Sequence, residues 1–244
     1  MRKLRAADIT RLVEWGENKH ALDRALVLLR LAHPQAGRDE LARLPIGMRD
    51  RLLLEVRKSL FGSRLDLVVR CRECRLTLEF KVTVEELLAA PPPSNARQTL
   101  DIDGYEITFD LPSSADLAAV VGLTAVREAR RALLRRCMVS ARHAGDDVEF
   151  DALPASMLDS WAESIGELDP LADISFKLRC EACRREIEAT FDVLHFAWAE
   201  LEAYAARVQR EIHLLAAAYG WSEQVILEMT TARRHRYCQM IADG

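Results

Sequence analysis

The sequence predicts an α+β fold organised around a four-cysteine β element that is split between two distant parts of the chain. Two strand–Cys-x-x-Cys–strand segments recur far apart, an Asp-Gly turn marks a β-hairpin between them, and apolar residues at helical spacing fill both ends. With 244 residues, of which 50% are hydrophobic and 30% charged, the chain can bury an ordinary core. At the usual ~150 residues per domain it is one elaborated domain or two small ones.

The elements follow in order. Residues 1–62 form an N-terminal helical region. Ala21, Leu22, Ala25, Leu28 and Leu29 make one amphipathic stripe between Asn18 and Leu31, stopped by His33-Pro34. Met48, Leu52, Leu53, Val56 and Leu60 make a second, closed by Phe61-Gly62. Residues 63–90 hold the first cysteine pair. Leu65 to Val69 reads as a strand entering Cys71-Arg72-Glu73-Cys74, and Leu76 to Val82 alternates apolar and polar residues with the strand period. A short helix is predicted over Thr83 to Ala90, and Pro91-Pro92-Pro93 must be extended and marks a boundary.

Residues 91–172 are read as an insertion. Leu100 to Ile102 and Tyr105 to Phe109 flank Asp103-Gly104, a pair suited to the positive φ angles of a two-residue hairpin turn. Serine caps at Ser113 and Ser114 precede a helix, an Arg-rich helical run is expected from Thr124 to Ser140, and another helix from Pro154 to Ile165. Residues 173–192 repeat the first cysteine element, with Arg179-Cys180-Glu181-Ala182-Cys183-Arg184 matching Arg70 to Arg75.

Each copy offers two thiols, and a structural zinc site needs four ligands. The sequence therefore points to one Zn²⁺ shared by Cys71, Cys74, Cys180 and Cys183 in a split zinc ribbon, against two other readings, structural or disulfide-bonded cysteines and a redox pair. A thioredoxin-type pair would open a helix, whereas strands follow both motifs here, and the cytosolic context disfavours disulfides. Knuckles of this kind usually carry glycine after the second cysteine, where Arg75 and Arg184 stand. Four thiolates around one divalent cation leave two negative charges uncompensated, which Arg70, Arg75, Arg179 and Arg184, with Arg72 and Arg185, are placed to offset.

No zinc-hydrolase, phosphate-loop or nucleophile-elbow motif accompanies these cysteines, and four thiolates leave no open metal position, so no enzyme and no small-molecule substrate are expected. A net charge of −4 gives no general attraction to phosphate. A zinc-ribbon nucleic-acid-binding protein is the alternative, resting on the knuckle arginines and on Arg127, Arg130, Arg131, Arg135 and Arg136; a nucleic-acid partner is not the expected one. Neither a signal-peptide core nor an 18-residue apolar span is evident, so a cytoplasmic protein without a membrane partner is expected.

Residues 193–244 are read as C-terminal helices. Leu194, Trp198, Leu201, Ala205, Val208, Ile212, Leu215 and Tyr219 form a heptad-like seam that packs on the protein's own helices or docks a partner. Gly220 ends this helix, Ser222 starts the next, and a last helix carries Arg233, Arg234, Tyr237 and Met240. Trp198, Leu201, Trp221, Arg234 and Tyr237 are the candidate partner-binding residues. His195 and His213 read as packing or surface residues, and Cys137 and Cys238 as small buried apolar groups.

Leu44-Pro45-Ile46-Gly47-Met48-Arg49-Asp50, Leu60-Phe61-Gly62, both Cys-x-x-Cys elements, Phe109 to Leu117, Phe196 to Leu201 and the run from Glu211 through Trp221 to Tyr237 occur in an order that resembles the T4-type phage baseplate hub assembly proteins and their relatives in phage-like contractile injection systems. The likeness runs from about Ala42 to Ile241. It implies a non-enzymatic assembly chaperone or minor structural component whose partners are baseplate hub or tail proteins. The protein would be cytoplasmic during assembly or retained in the particle. Proline and glycine, usual in the family's knuckles, are missing from both.

Overall fold

The computed structural model describes residues 1–243. In chain order the elements are α1 (Ala6–Gly16), α2 (Ala21–Ala32), α3 (Arg38–Ala42), α4 (Ile46–Phe61), β1 (Arg64–Arg70), β2 (Thr77–Thr83), α5 (Val84–Leu87), β3 (Gln98–Ile102), β4 (Tyr105–Phe109), α6 (Ser114–Val120), α7 (Val126–Cys137), β5 (Met138–His143), β6 (Asp146–Asp147), α8 (Ala155–Leu168), β7 (Ile174–Arg179), β8 (Glu186–Phe191), α9 (Val193–Tyr219), α10 (Glu223–Glu228) and α11 (Thr231–Ala242). They divide into a mixed unit, Ala36–Val193, and a helical unit made of Met1–Gln35 and Leu194–Gly244. Among the described residues no helix is long and apolar enough to cross a membrane.

In the mixed unit β1 and β2 form one antiparallel hairpin and β7 and β8 another, each a two-stranded sheet. Between them in sequence lies a four-stranded sheet of order β3-β4-β5-β6. Its inward residues Ile107, Phe109 and Ala141 pack on Leu134, Met157, Leu158 and Trp161, from α7 and α8, with Phe109 edge-on to Trp161 at 5.3 Å. Asp103 and Gly104 take φ of 54° and 80° and turn β3 into β4, as their sequence requires. Pro91 to Pro93 lies within this unit and joins α5 to β3.

One expected helix is corrected. The run predicted over 124–140 stops at Cys137, and Met138–His143 becomes a strand on the free edge of β4. Asp110 donates its amide to the Cys137 carbonyl, tying the helix end to the sheet. Ala144 and Gly145, with φ of 53° and 94°, then reverse the chain into β6. The arginines before Cys137 continue a helical pattern, but sheet pairing overrides it at β-branched Val139.

The start of α4 is fixed by a buried polar contact. Gly47 donates its amide to Asp169 Oδ2 at 2.9 Å, Ile46 donates to the Pro112 carbonyl at 3.0 Å, and Arg49 binds Asp50 at 2.7 Å and Ser114 Oγ at 3.3 Å. Burial raises the Asp169 carboxyl above its usual range, although the Gly47 amide and Arg49 pull the other way. The Leu-Pro-Ile-Gly and Leu-Pro-Ser-Ser motifs therefore meet through main-chain and buried side-chain hydrogen bonds.

In the helical unit the apolar side of α9 is buried, with Trp198, Leu201, Ala205, Val208 and Leu215 each at most 4% exposed. The Trp198 ring lies over Gly16, where an added Cβ would come within 2.3 Å of it, and Arg24 stacks on its face at 4.8 Å. The helix α1 opens the chain and buries Ile9 and Leu12.

Gly47 tolerates no side chain, because a Cβ there would sit 1.7 Å from Asp169 Oδ1 and 3.0 Å from Leu171 Cβ. Gly47→Ala is expected to cost about 1–3 kcal/mol through forced displacement of a buried group, read as a lower urea midpoint. Gly37→Ala, where nothing lies within 4 Å, is the matched control and should leave that midpoint in place.

Candidate metal centre

The two hairpins deliver their cysteines by the same local geometry. Cys71 donates its amide to the Leu76 carbonyl at 2.9 Å and accepts from the Arg75 amide at 3.0 Å. Cys180 donates to Arg185 and accepts from Arg184, both at 2.9 Å. Each loop then turns through a residue in the left-handed region, Arg75 and Arg184, both with φ of 62°. The conformation for which glycine is usual is adopted here by arginine in both copies.

The hairpins meet through Phe80 and Phe176, whose rings are edge-to-face at 5.2 Å, and Phe176 also lies 6.1 Å from Phe191. This contact brings the knuckles together. Cys71 Sγ is 3.7 Å from Cys183 Sγ, Cys74 Sγ is 3.5 Å from Cys180 Sγ, and all four sulfurs lie within 4.8 Å of one another. A tetrahedron of ~2.3 Å metal–sulfur bonds has edges of about 3.8 Å. The four free cysteines therefore match a metal-binding cage, and they could hold one ion.

Backbone amides already face the sulfurs. Cys71 is held below the usual thiol range first by the Cys74 amide and further by that of Glu73. Cys180 is lowered to about 7 by the Cys183 and Ala182 amides. In each pair the second thiol goes the other way. The Leu76 amide pulls Cys74 down, but the neighbouring Cys180 and Cys71 sulfurs and desolvation outweigh it. The Arg185 amide acts likewise on Cys183, yet desolvation and the other three sulfurs push it up to about 12. Four sulfurs this close resist complete ionisation, and a cation in the cage would relieve that repulsion.

Arg70 and Arg179 do something the sequence did not indicate. Arg70 Nε donates to the Arg75 carbonyl at 3.3 Å and Arg179 Nε to the Arg184 carbonyl at 3.2 Å, so each braces its own left-handed turn. All four predicted arginines are exposed. Their common place is the rim of the knuckles, with Arg75 and Arg184 forming the turns themselves.

The partner-binding candidates separate into two groups. Trp198, Leu201 and Arg234 are buried, at 4%, 1% and 1% exposed. Trp198 lies on Gly16 of α1 and under Arg24 of α2. Arg234 binds Glu211 Oε2 at 2.8 Å and the Met229 carbonyl at 2.7 Å, joining α11 to α9. Trp221 and Tyr237 are half-buried in an aromatic triad with Tyr219: Tyr219 and Trp221 stack at 4.5 Å, and Tyr237 meets Trp221 edge-on at 4.9 Å. Tyr219, read from the sequence as the end of the seam, belongs to this cluster.

A left-handed arginine is strained, at roughly 1–2 kcal/mol in that backbone region. Arg184→Gly should therefore raise the urea midpoint of the mixed unit by an amount equivalent to about 1 kcal/mol. A lowered midpoint would mean that the side chain contributes more at the rim than the backbone conformation costs.

A family model, the T4 bacteriophage base plate protein, matches residues 27–196. No curated protein and no solved structure matches the chain. The match takes in both cysteine elements, the four-stranded sheet and the Leu-Pro motifs at the start of α4 and before α6, and it covers more than half of the sequence. The chain thus belongs to the T4 bacteriophage base plate protein family.

Proposed function

We propose that this protein is a non-enzymatic assembly chaperone or minor structural component of the baseplate hub in a contractile phage tail or phage-like injection system, and that it acts by binding hub or tail proteins. The family match over residues 27–196 carries this reading. A Zn²⁺ shared by Cys71, Cys74, Cys180 and Cys183 fits the cage, since four thiolates in a tetrahedron are a common structural zinc set. With all four positions taken by sulfur, the ion supplies no reactive water. Its contribution is to join residues 63–90 to residues 173–192 as the two halves of one ribbon, and the folding energy of such sites reaches ~10–16 kcal/mol in small zinc domains.

Partner recognition is assigned to the Tyr219, Trp221 and Tyr237 triad. Half-exposed aromatics offer large apolar area at little entropic cost and anchor many protein interfaces. Exposed Val225 and Met240, on α10 and α11, extend the apolar character of this end of the helical unit. The nucleic-acid alternative is not favoured by the Arg-rich helix, because four of its five arginines are paired with carboxylates. Arg130 pairs with Asp159 at 2.9 Å, Arg131 and Arg135 share Asp151, and Arg136 reaches Asp116 at 3.1 Å. A phosphate binder would present those guanidiniums unpaired.

Two measurements test the proposal. Elemental analysis of the purified chain should give one zinc per chain, lost in Cys180→Ser, with the thermal transition of the mixed unit falling by well over 10 °C in that variant and on chelation. Absence of zinc from the purified chain, or a transition indifferent to chelator, rules out the shared ion.

For partner binding, the tagged chain should retain baseplate hub or tail proteins when co-expressed with them. Trp221→Ala and Tyr237→Ala should each weaken that retention at least tenfold while leaving the circular dichroism of the chain unchanged. Retention equal to wild type in both variants removes the triad from the interface, and failure to retain any hub or tail protein removes the functional reading.

A further inference from the structure

Each ribbon hairpin has an edge that pairs with no other strand among the described residues, since β1 neighbours only β2 and β8 only β7. The hydrogen bonds Val84 N–H to the Ser63 carbonyl and Cys71 N–H to the Leu76 carbonyl, both 2.9 Å, set the phase of the first ladder. Antiparallel pairs alternate, so Leu65, Leu67 and Val69 turn their main-chain groups toward β2, and Asp66, Val68 and Arg70 turn theirs outward. The Cys180 N–H bond to the Arg185 carbonyl phases the second ladder in the same way and leaves Glu186, Glu188 and Thr190 of β8 facing outward.

These two edges line one groove of about 290 Å³. Consecutive residues of β1 and of β8 border it, which means that strand edges, rather than one face of either sheet, form its walls; Phe80 and Phe176 are also at its surface. Val68, at the middle of the β1 edge, is 66% exposed, an apolar side chain on the outer side of the strand's alternation. The groove is at the lower end of the size of small-molecule clefts, roughly 300–1,000 Å³. Outward main-chain donors and acceptors beside an apolar floor are complementary to another extended main chain. Charge gives that chain a polarity: Arg70 and Arg72 border the groove at its cysteine end, and Glu188 borders it further along β8.

We propose that this groove binds an extended segment of a partner protein as an added β-strand, with apolar side chains at every second position over Phe80 and Phe176 and a carboxylate at the cysteine end. The inference is independent of the docking role given to Trp221 and Tyr237, and the two fail separately. Val68→Pro is the test, because proline at an outward-facing edge position deletes a donor that the hairpin itself does not use and leaves the ladder to β2 complete. A displayed library of ten-residue peptides is selected on the full chain and compared with selection on Val68→Pro, with zinc content and circular dichroism measured on both proteins. Wild type should enrich alternating apolar sequences with an acidic residue at one end, and a synthetic member should bind Val68→Pro at least tenfold more weakly. If Val68→Pro disturbs the hairpin, N-methylation of alternate amides in the synthetic peptide makes the same cut from the ligand side and should also weaken binding at least tenfold. Three results overturn the proposal: no alternating class enriched on wild type, binding insensitive to N-methylation, or self-association of the chain abolished by Val68→Pro, which would give the edge to a second copy.

Discussion

Four sulfur atoms must come together from segments more than a hundred residues apart, and the arrangement of the mixed unit follows from that requirement. The cross-copy contacts join Cys71 to Cys183 and Cys74 to Cys180, at sequence separations of 112 and 106. A two-stranded hairpin is marginal by itself in water, and the unit contains two of them. Neither can bury much apolar surface alone, so the Phe80–Phe176 contact and the sulfur cluster are what each half offers the other. Closing a loop of this length by a cross-link is worth roughly 5 kcal/mol in the chain-entropy picture, so a joint here confers much more than the local contacts suggest.

Residues 91–172 lie between the two hairpins in sequence. Their four-stranded sheet has a core of its own, with Trp161 fully buried behind Phe109, and can hold its shape between the two ends. The start of α4 ties this insertion back to the chain before the first cysteine, through Gly47 to Asp169 and Arg49 to Ser114. These contacts link residues on both sides of the first hairpin with the segment just before the second. The geometry at the sulfurs is thus supported from several directions.

What could be read from the residues was the local pattern. Cys-x-x-Cys between alternating strands, Asp103-Gly104 between two short apolar runs, and the serines before α6 and α10 all encode their structure within a few positions, with Ser113 and Ser222 found as the caps. Contacts between residues distant in sequence are carried by no local pattern. Arg127 to Arg136 continues smoothly toward Ser140, and only the unpaired edge of β4 makes a strand of Met138–His143. Trp198 and Leu201 sit on a heptad-like seam that is the same whether its partner is internal or external, and the Gly16 surface that receives Trp198 lies far away in sequence. Arg75 and Arg184 looked like a departure from what a knuckle needs. The structure has both in the glycine conformation, with Arg70 and Arg179 hydrogen-bonded to their carbonyls, a compensation visible only once the turn is folded.

The limits of the family match separate two parts of the chain with different packing demands. It ends at residue 196, a few residues into α9, and so contains both cysteine hairpins and the four-stranded sheet but stops before Tyr219, Trp221 and Tyr237. The matched part has strong internal requirements: four thiols, two left-handed turns and a glycine that a carboxylate covers. The triad has only to keep three aromatic rings in mutual contact at the end of a helix, with Gly220 at φ of 67° making the reversal between two of them. A surface with so few packing obligations can change its rings or their neighbours without disturbing the cysteine hairpins.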